Sequence, residues 1–109
     1  MSHRIDFEAL PWNEPAEGIR FKAVVIGSQQ TRLVEFSHGF IEPDWCFKGH
    51  AGYVLDGEFS IDYSGAVERY KAGDILFIPK GAKDKHKAVL EKGQRVTLLL
   101  YEILDEAAG

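Results

Sequence analysis

From Arg20 to Leu104 the apolar residues fall in short runs, often alternating with polar ones, and glycine-containing turns interrupt them roughly every ten residues. A period of two puts successive side chains on opposite faces of an extended backbone, so the pattern predicts strands. They are expected over residues 21–26, 31–36, 53–55, 58–63, 66–70, 75–78, 86–90 and 95–104. Gly27 to Gln30, Ser64-Gly65, Ala72-Gly73-Asp74 and Lys92-Gly93 supply turns between them. Asp56-Gly57 favours a primed two-residue turn, which predicts a hairpin joining 53–55 to 58–63. No amphipathic helix emerges, and only residues 105–109 could form a short helical tail. Many short strands with glycine turns indicate an all-β domain, an antiparallel barrel or sandwich whose closure protects its edges.

The most informative stretch is Gly73-Asp-Ile-Leu-Phe-Ile-Pro79-Lys-Gly81. Gly73 provides a turn conformation that a side chain would strain, and Asp74 can bond the turned backbone. Pro79 has no N–H for a ladder and ends the strand, while Gly81 lets the chain reverse. Asp84 and His86 follow at once, as ionisable groups delivered at a barrel mouth.

Composition narrows the picture. A chain of 109 residues, 45% apolar and 28% charged, supports one globular core without a second. We read residues 1–18, with Pro11, Trp12 and Pro15, as an N-terminal arm and residues 19–109 as the barrel domain. The net charge of −4 argues against a nucleic-acid backbone as partner. Lys80, Lys83, Lys85 and Lys87 are crowded but interrupted by Asp84, which suits a solvated loop. No apolar run approaches the ~20 residues of a membrane span, and the N-terminus carries no apolar signal segment. A single cysteine, Cys46, forbids an intrachain disulfide, and a cytoplasmic location is expected.

Candidate chemistry gathers before the Tyr53 strand and after the Pro79 corner. In an extended chain Asp44, Cys46 and His50 share a parity, so oxygen, sulfur and nitrogen donors could line one interior wall. With His86 they form a candidate site for a divalent transition metal such as iron, zinc, manganese or nickel. Asp84, two residues before His86, is a further candidate for the pocket, as are Trp45 and Tyr53 as aromatic wall. His38 has the parity of Val34 and Phe36 and is expected on a pocket wall. Cys46 has two other readings: a nucleophile activated by a neighbouring histidine, or an inert packed thiol.

These residues resemble the motifs of the cupin superfamily. Its second motif runs glycine, five residues, proline, one residue, glycine, two residues, histidine; Gly73, Pro79 and Gly81 match, and the histidine position falls on Asp84, with His86 two further on. Its first motif ends on a glycine met by Gly57, which puts His50 at the glutamate position and Asp44 and Cys46 at two histidine positions. The resemblance implies a jelly-roll β-barrel, a double-stranded β-helix, forming a homodimer. It also implies a small polar metabolite in the barrel, oxidised or isomerised at a metal, or else held in a metal-free sensor module.

Overall fold

Gly73 and Gly81 take positive φ, 95° and 125°, at the two ends of the strand they bracket, as the turn chemistry requires. The computed structural model of the chain describes residues 3–104. It contains eight strands: β1 (Asn13–Ala16), β2 (Ile19–Ile26), β3 (Gln29–Ser37), β4 (His50–Asp62), β5 (Val67–Lys71), β6 (Ile75–Ile78), β7 (Lys87–Val89) and β8 (Arg95–Ile103). Two short 3-10 turns, Phe7–Ala9 and Ala82–Asp84, are the only helical elements among the described residues. The tail expected at residues 105–109 lies outside them. No helix among the described residues is long and apolar enough to cross a membrane.

All pairings are antiparallel, in the order β1-β2-β3-β8-β4-β5, with β6 and β7 also on β4. The fold is therefore all-β and jelly-roll-like, and β4 is its spine. The first part of β4 runs between β8 and β6, and its last part between β5 and β7.

The hairpin expected at Asp56-Gly57 does not exist. Residues 53–55 and 58–63 are consecutive halves of one thirteen-residue strand. Val54 pairs with Leu98 but Asp56 with Thr97, so one extra residue bulges out between them. Gly57 takes φ 80°, and a Cβ there would sit 1.9 Å from the Arg95 carbonyl oxygen. Asp-Gly serves a bulge as well as a turn, since both need a residue of positive φ. The bulge also shifts parity: Val54 faces inward before it, Phe59 and Ile61 after it. One strand thereby feeds the core from both of its halves.

The core joins Val34, Val54, Phe59, Leu76, Ile78, Val96, Leu98 and Leu100, with Ile61 and Tyr70, from β3, β4, β5, β6 and β8. At roughly 1.5–3 kcal/mol for each fully buried large side chain, this cluster is the main stabilising term. Residues 1–18 include β1, which pairs with β2. There Trp12 lies under the Arg20 guanidinium, 4.0 Å from ring centre to Cζ.

Candidate metal centre

The proline corner does its work by bringing two connecting segments side by side. Past Ile78 the chain turns, and the Gly81 N–H donates to the Phe47 carbonyl at 3.0 Å. Five residues on, Cys46 N–H donates to the His86 carbonyl at 2.8 Å and His86 N–H to the Cys46 carbonyl at 3.0 Å. This isolated bridge fixes two candidate donors opposite one another. His50 opens β4 opposite Ile78 and shares the inward parity of Val54.

The three side chains converge. One ligand atom each of Cys46, His50 and His86 lies within 4.8 Å of the other two. Cys46 Sγ is 3.7 Å from His50 Nε2, and the two imidazoles meet edge to face with centroids 5.1 Å apart. His86 Nδ1 faces the Asp84 carbonyl oxygen at 3.0 Å, which as acceptor keeps the proton on Nδ1 and leaves Nε2 for a ligand. His50 Nδ1 lies 2.5 Å from Glu102 Oε2, although the approach is too poorly angled for a hydrogen bond and Nδ1 is otherwise buried without a partner. Glu102 is itself buried, gripped by both Nε and Nη2 of Arg32 and by Gln30 Nε2, each at 2.8 Å.

Charge in this cluster is strongly biased. Burial pushes the Cys46 thiol up, but hydrogen bonds from His50 and His86 outweigh it and bring it down to about 5. Burial lowers His50, and the contact with Cys46 and the adjacent Glu102 carboxylate overcome this and raise it to about 9. His86 is raised in the same way by Cys46 and the Asp84 carbonyl, again against burial. Burial would raise Glu102, yet His50 and Arg32 hold it down to about 2. Without a metal, Cys46 and His50 thus form a thiolate–imidazolium pair at neutral pH.

The donor set fits a divalent transition metal. A tetrahedral ion with one sulfur and one nitrogen ligand at ordinary bond lengths would hold them about 3.6 Å apart, close to the 3.7 Å observed. One thiolate and two imidazoles suit zinc, nickel or iron better than manganese, which prefers oxygen donors. Three protein ligands also leave a coordination position open.

The group faces a cavity of about 190 Å³ whose walls include Phe36, Phe40, Phe59, Leu98 and Leu100. The other residues singled out in the sequence lie elsewhere. Asp44 is exposed and outside the donor group, because residues 38–49 form no strand and parity does not carry through them. His38 is exposed in the turn after β3. Trp45 is half-buried under Lys85 and Lys87, whose nitrogens stand 5.1 and 4.8 Å from its ring centre. Tyr53 points to the outer face of β4, and Asp84 reaches the site through its backbone carbonyl.

No known family profile matches the sequence, and no curated protein matches it. Solved structures do. An RmlC-like cupin from Shewanella frigidimarina superposes with a TM-score of 0.75 at 18% identity, over 99% of this chain and 96% of that one. The chain has the cupin fold. The polyketide cyclase RemF from Streptomyces resistomycificus shares this cupin architecture with a TM-score of 0.78 and 22% identity, over 98% and 82% of the two chains. KdgF from Halomonas sp. follows at 0.69 and 23%, over 90% and 92%. Their likeness to this chain is one of fold.

Two carboxylates at the site escaped the sequence reading. Glu102 sits on the inward parity of β8 with Val96, Leu98 and Leu100, and a carboxylate on an apolar strand face was the available signal. Glu42 lines the cavity from a segment without periodicity, and no pattern marked it. Its Oε1 accepts the Ala88 N–H at 2.8 Å, and burial raises its pKa, with the Cys46 charge adding to the effect.

Proposed function

We propose that the cavity binds a small molecule at a divalent metal held by Cys46, His50 and His86. The observation that carries this reading is the convergence of the three donors within 4.8 Å on the wall of a largely apolar cavity. A metal there would act as a Lewis acid on an oxygen of the bound molecule. The protein's part is orientation and exclusion of water. Glu102 and the Asp84 carbonyl hold the outer nitrogens of the two imidazoles, so their inner nitrogens face the cavity. Phe36, Phe40 and Phe59 provide the apolar wall, and a volume of about 190 Å³ admits only a compact guest. Glu42, its pKa raised by burial, lines the same cavity as a group that could give or accept a proton. Isomerisation or oxidation of a small metabolite is the chemistry this arrangement favours, with Lys48 at the rim attracting an anionic head group.

The second reading is a metal-free binding module, supported by the contact in which Cys46 and His50 satisfy one another. Elemental analysis separates the two. Protein purified without a histidine tag or chelator, then reconstituted with zinc, nickel or ferrous iron, should hold close to one metal per chain. His50→Ala and His86→Ala should lose it while keeping the β-rich circular dichroism. Wild-type protein that takes up no metal after reconstitution overturns the metal reading and leaves the binding module.

A further inference from the structure

Three phenylalanines give the cavity one continuous aromatic surface. Phe36 shares the inward parity of Val34 on β3, Phe59 lies inward on β4 after its bulge, and Phe40 belongs to the segment that follows β3. The Phe36 ring stands 4.9 Å from that of Phe40 and 6.2 Å from that of Phe59, centroid to centroid, with the planes 31° and 21° apart. All three rings line the same cavity.

Its charged lining residues are not equally available. Arg32 spends Nε and Nη2 on Glu102. Glu42 is the only acidic residue among those lining the cavity, and its Oε1 already accepts the Ala88 N–H. Lys48 has no ion-pair partner among the described residues. The cation left for a guest, beside the Cys46, His50 and His86 group, is therefore Lys48.

Volume sets the size of that guest. A dry cavity of about 150 Å³ lined by leucine, isoleucine and phenylalanine holds one benzene ring. At about 190 Å³ this cavity exceeds that by roughly 40 Å³. The excess is more than one water's share of about 30 Å³ and far less than a second ring needs.

We infer that the guest is a single-ring aromatic carboxylate, its ring against Phe36, Phe40 and Phe59 and its carboxylate between Lys48 and the Cys46, His50 and His86 group. This names the class of molecule for the binding reading above and rests on it. A planar ring adds a fourth member to the aromatic wall, worth roughly 3- to 10-fold in affinity beyond the area it buries. Lys48 and the three rings act whether or not a metal is present, so the preference for a ring acid does not hang on the metal.

Calorimetric titration of the full chain, reconstituted with zinc and separately stripped with a chelator, tests the class with benzoate as the probe. Benzoate should bind the zinc-loaded protein with a Kd below about 1 mM. Benzamide, its neutral isostere, should bind at least about 10-fold more weakly. Cyclohexanecarboxylate has the charge without the aromatic face and should be weaker by about 3-fold or more. The second ring of 1-naphthoate should exclude it. Lys48→Gln should weaken benzoate by about 5-fold and leave benzamide unchanged, whereas Lys48→Arg should keep most of the affinity. Phe40→Leu should remove most of the advantage of benzoate over cyclohexanecarboxylate. Circular dichroism checks folding, which the Lys48 variants should retain because Lys48 is exposed. No binding of benzoate, or binding of any of the other three compounds as tightly as benzoate, overturns the inference whether or not zinc is held. Protein that takes up no zinc but shows the same ranking and the same dependence on Lys48 supports the inference and overturns only the metal reading.

Discussion

Cys46 and His86 are joined by two main-chain hydrogen bonds, so the backbone sets their separation before either side chain meets a ligand. A site preorganised in this way loses little conformational entropy when it is filled. It also means that the sulfur can be replaced without dismantling the loops that carry it.

Cys46→Ser follows from that separation of roles. The bridge uses only backbone atoms, so the variant should still fold, losing only the stability that the thiolate–imidazolium pair contributes. Metal binding should change far more, because a hydroxyl is a hard, largely protonated donor in place of a thiolate. Cobalt titration provides the check: the intense sulfur-to-metal absorption of the wild type should vanish in the variant. A variant that keeps that band would show that Cys46 is not a ligand.

Glu102→Gln tests the support behind His50. The carboxylate lies 2.5 Å from His50 Nδ1 while Arg32 and Gln30 hold it in place. Replacing the anion by an amide removes the charge that raises imidazole basicity, and zinc affinity should fall about 10- to 100-fold by calorimetric titration. Arg32 is left without its counter-charge, so the apoprotein should lose stability as well. Unchanged zinc affinity in a folded variant would mean that Glu102 serves only Arg32.

The acid–base behaviour of the apoprotein gives a third test. With Cys46 at about 5 and His50 at about 9, the thiolate–imidazolium pair exists between those values. The cysteine pKa is depressed by folding, so its contribution to stability is lost as pH falls through 5. The histidine pKa is raised, so its contribution is lost as pH rises through 9. Alkylation of Cys46 by iodoacetamide should therefore rise with a midpoint near 5, well below an ordinary thiol. His50→Ala should move that midpoint upward by removing the strongest hydrogen-bond partner. A wild-type midpoint above 8 would contradict the pairing.

Much of this was legible in the residues. Alternating apolar positions gave the strands, and Gly73, Pro79 and Gly81 gave the corner, because those side chains act on the backbone next to them. Cys46, His50 and His86 were identifiable by donor chemistry. What brings them together is a bridge between two irregular segments, and that long-range pairing leaves no periodic trace. Asp44 and His38 were placed inward by extending a strand's parity into residues that form no strand. Tyr53 was placed by its aromatic type, although its parity is opposite to that of His50. Glu102 was readable from β8's alternation, and Glu42 was not.

Gly57 is where local chemistry and global fold diverge most, and it carries the last prediction. Its φ of 80° is one that a side chain tolerates poorly, and its Cα points a missing Cβ straight at the Arg95 carbonyl oxygen, 1.9 Å away. That oxygen belongs to the neighbouring strand β8, so relief would require the β4–β8 ladder to open at the bulge that resets β4's parity. Gly65 has a similar conformation, φ 110°, but a Cβ there would meet nothing within 4 Å. The pair isolates the steric part from the backbone part. Gly65→Ala should cost on the order of 1 kcal/mol from φ alone. Gly57→Ala should cost at least about 3 kcal/mol, in the range reserved for strain with no room to relax. Urea unfolding of the two variants side by side measures the difference. Equal losses would mean that β4 can move away from β8 at Gly57 without penalty, and that the bulge does not hold the two halves of the strand in register.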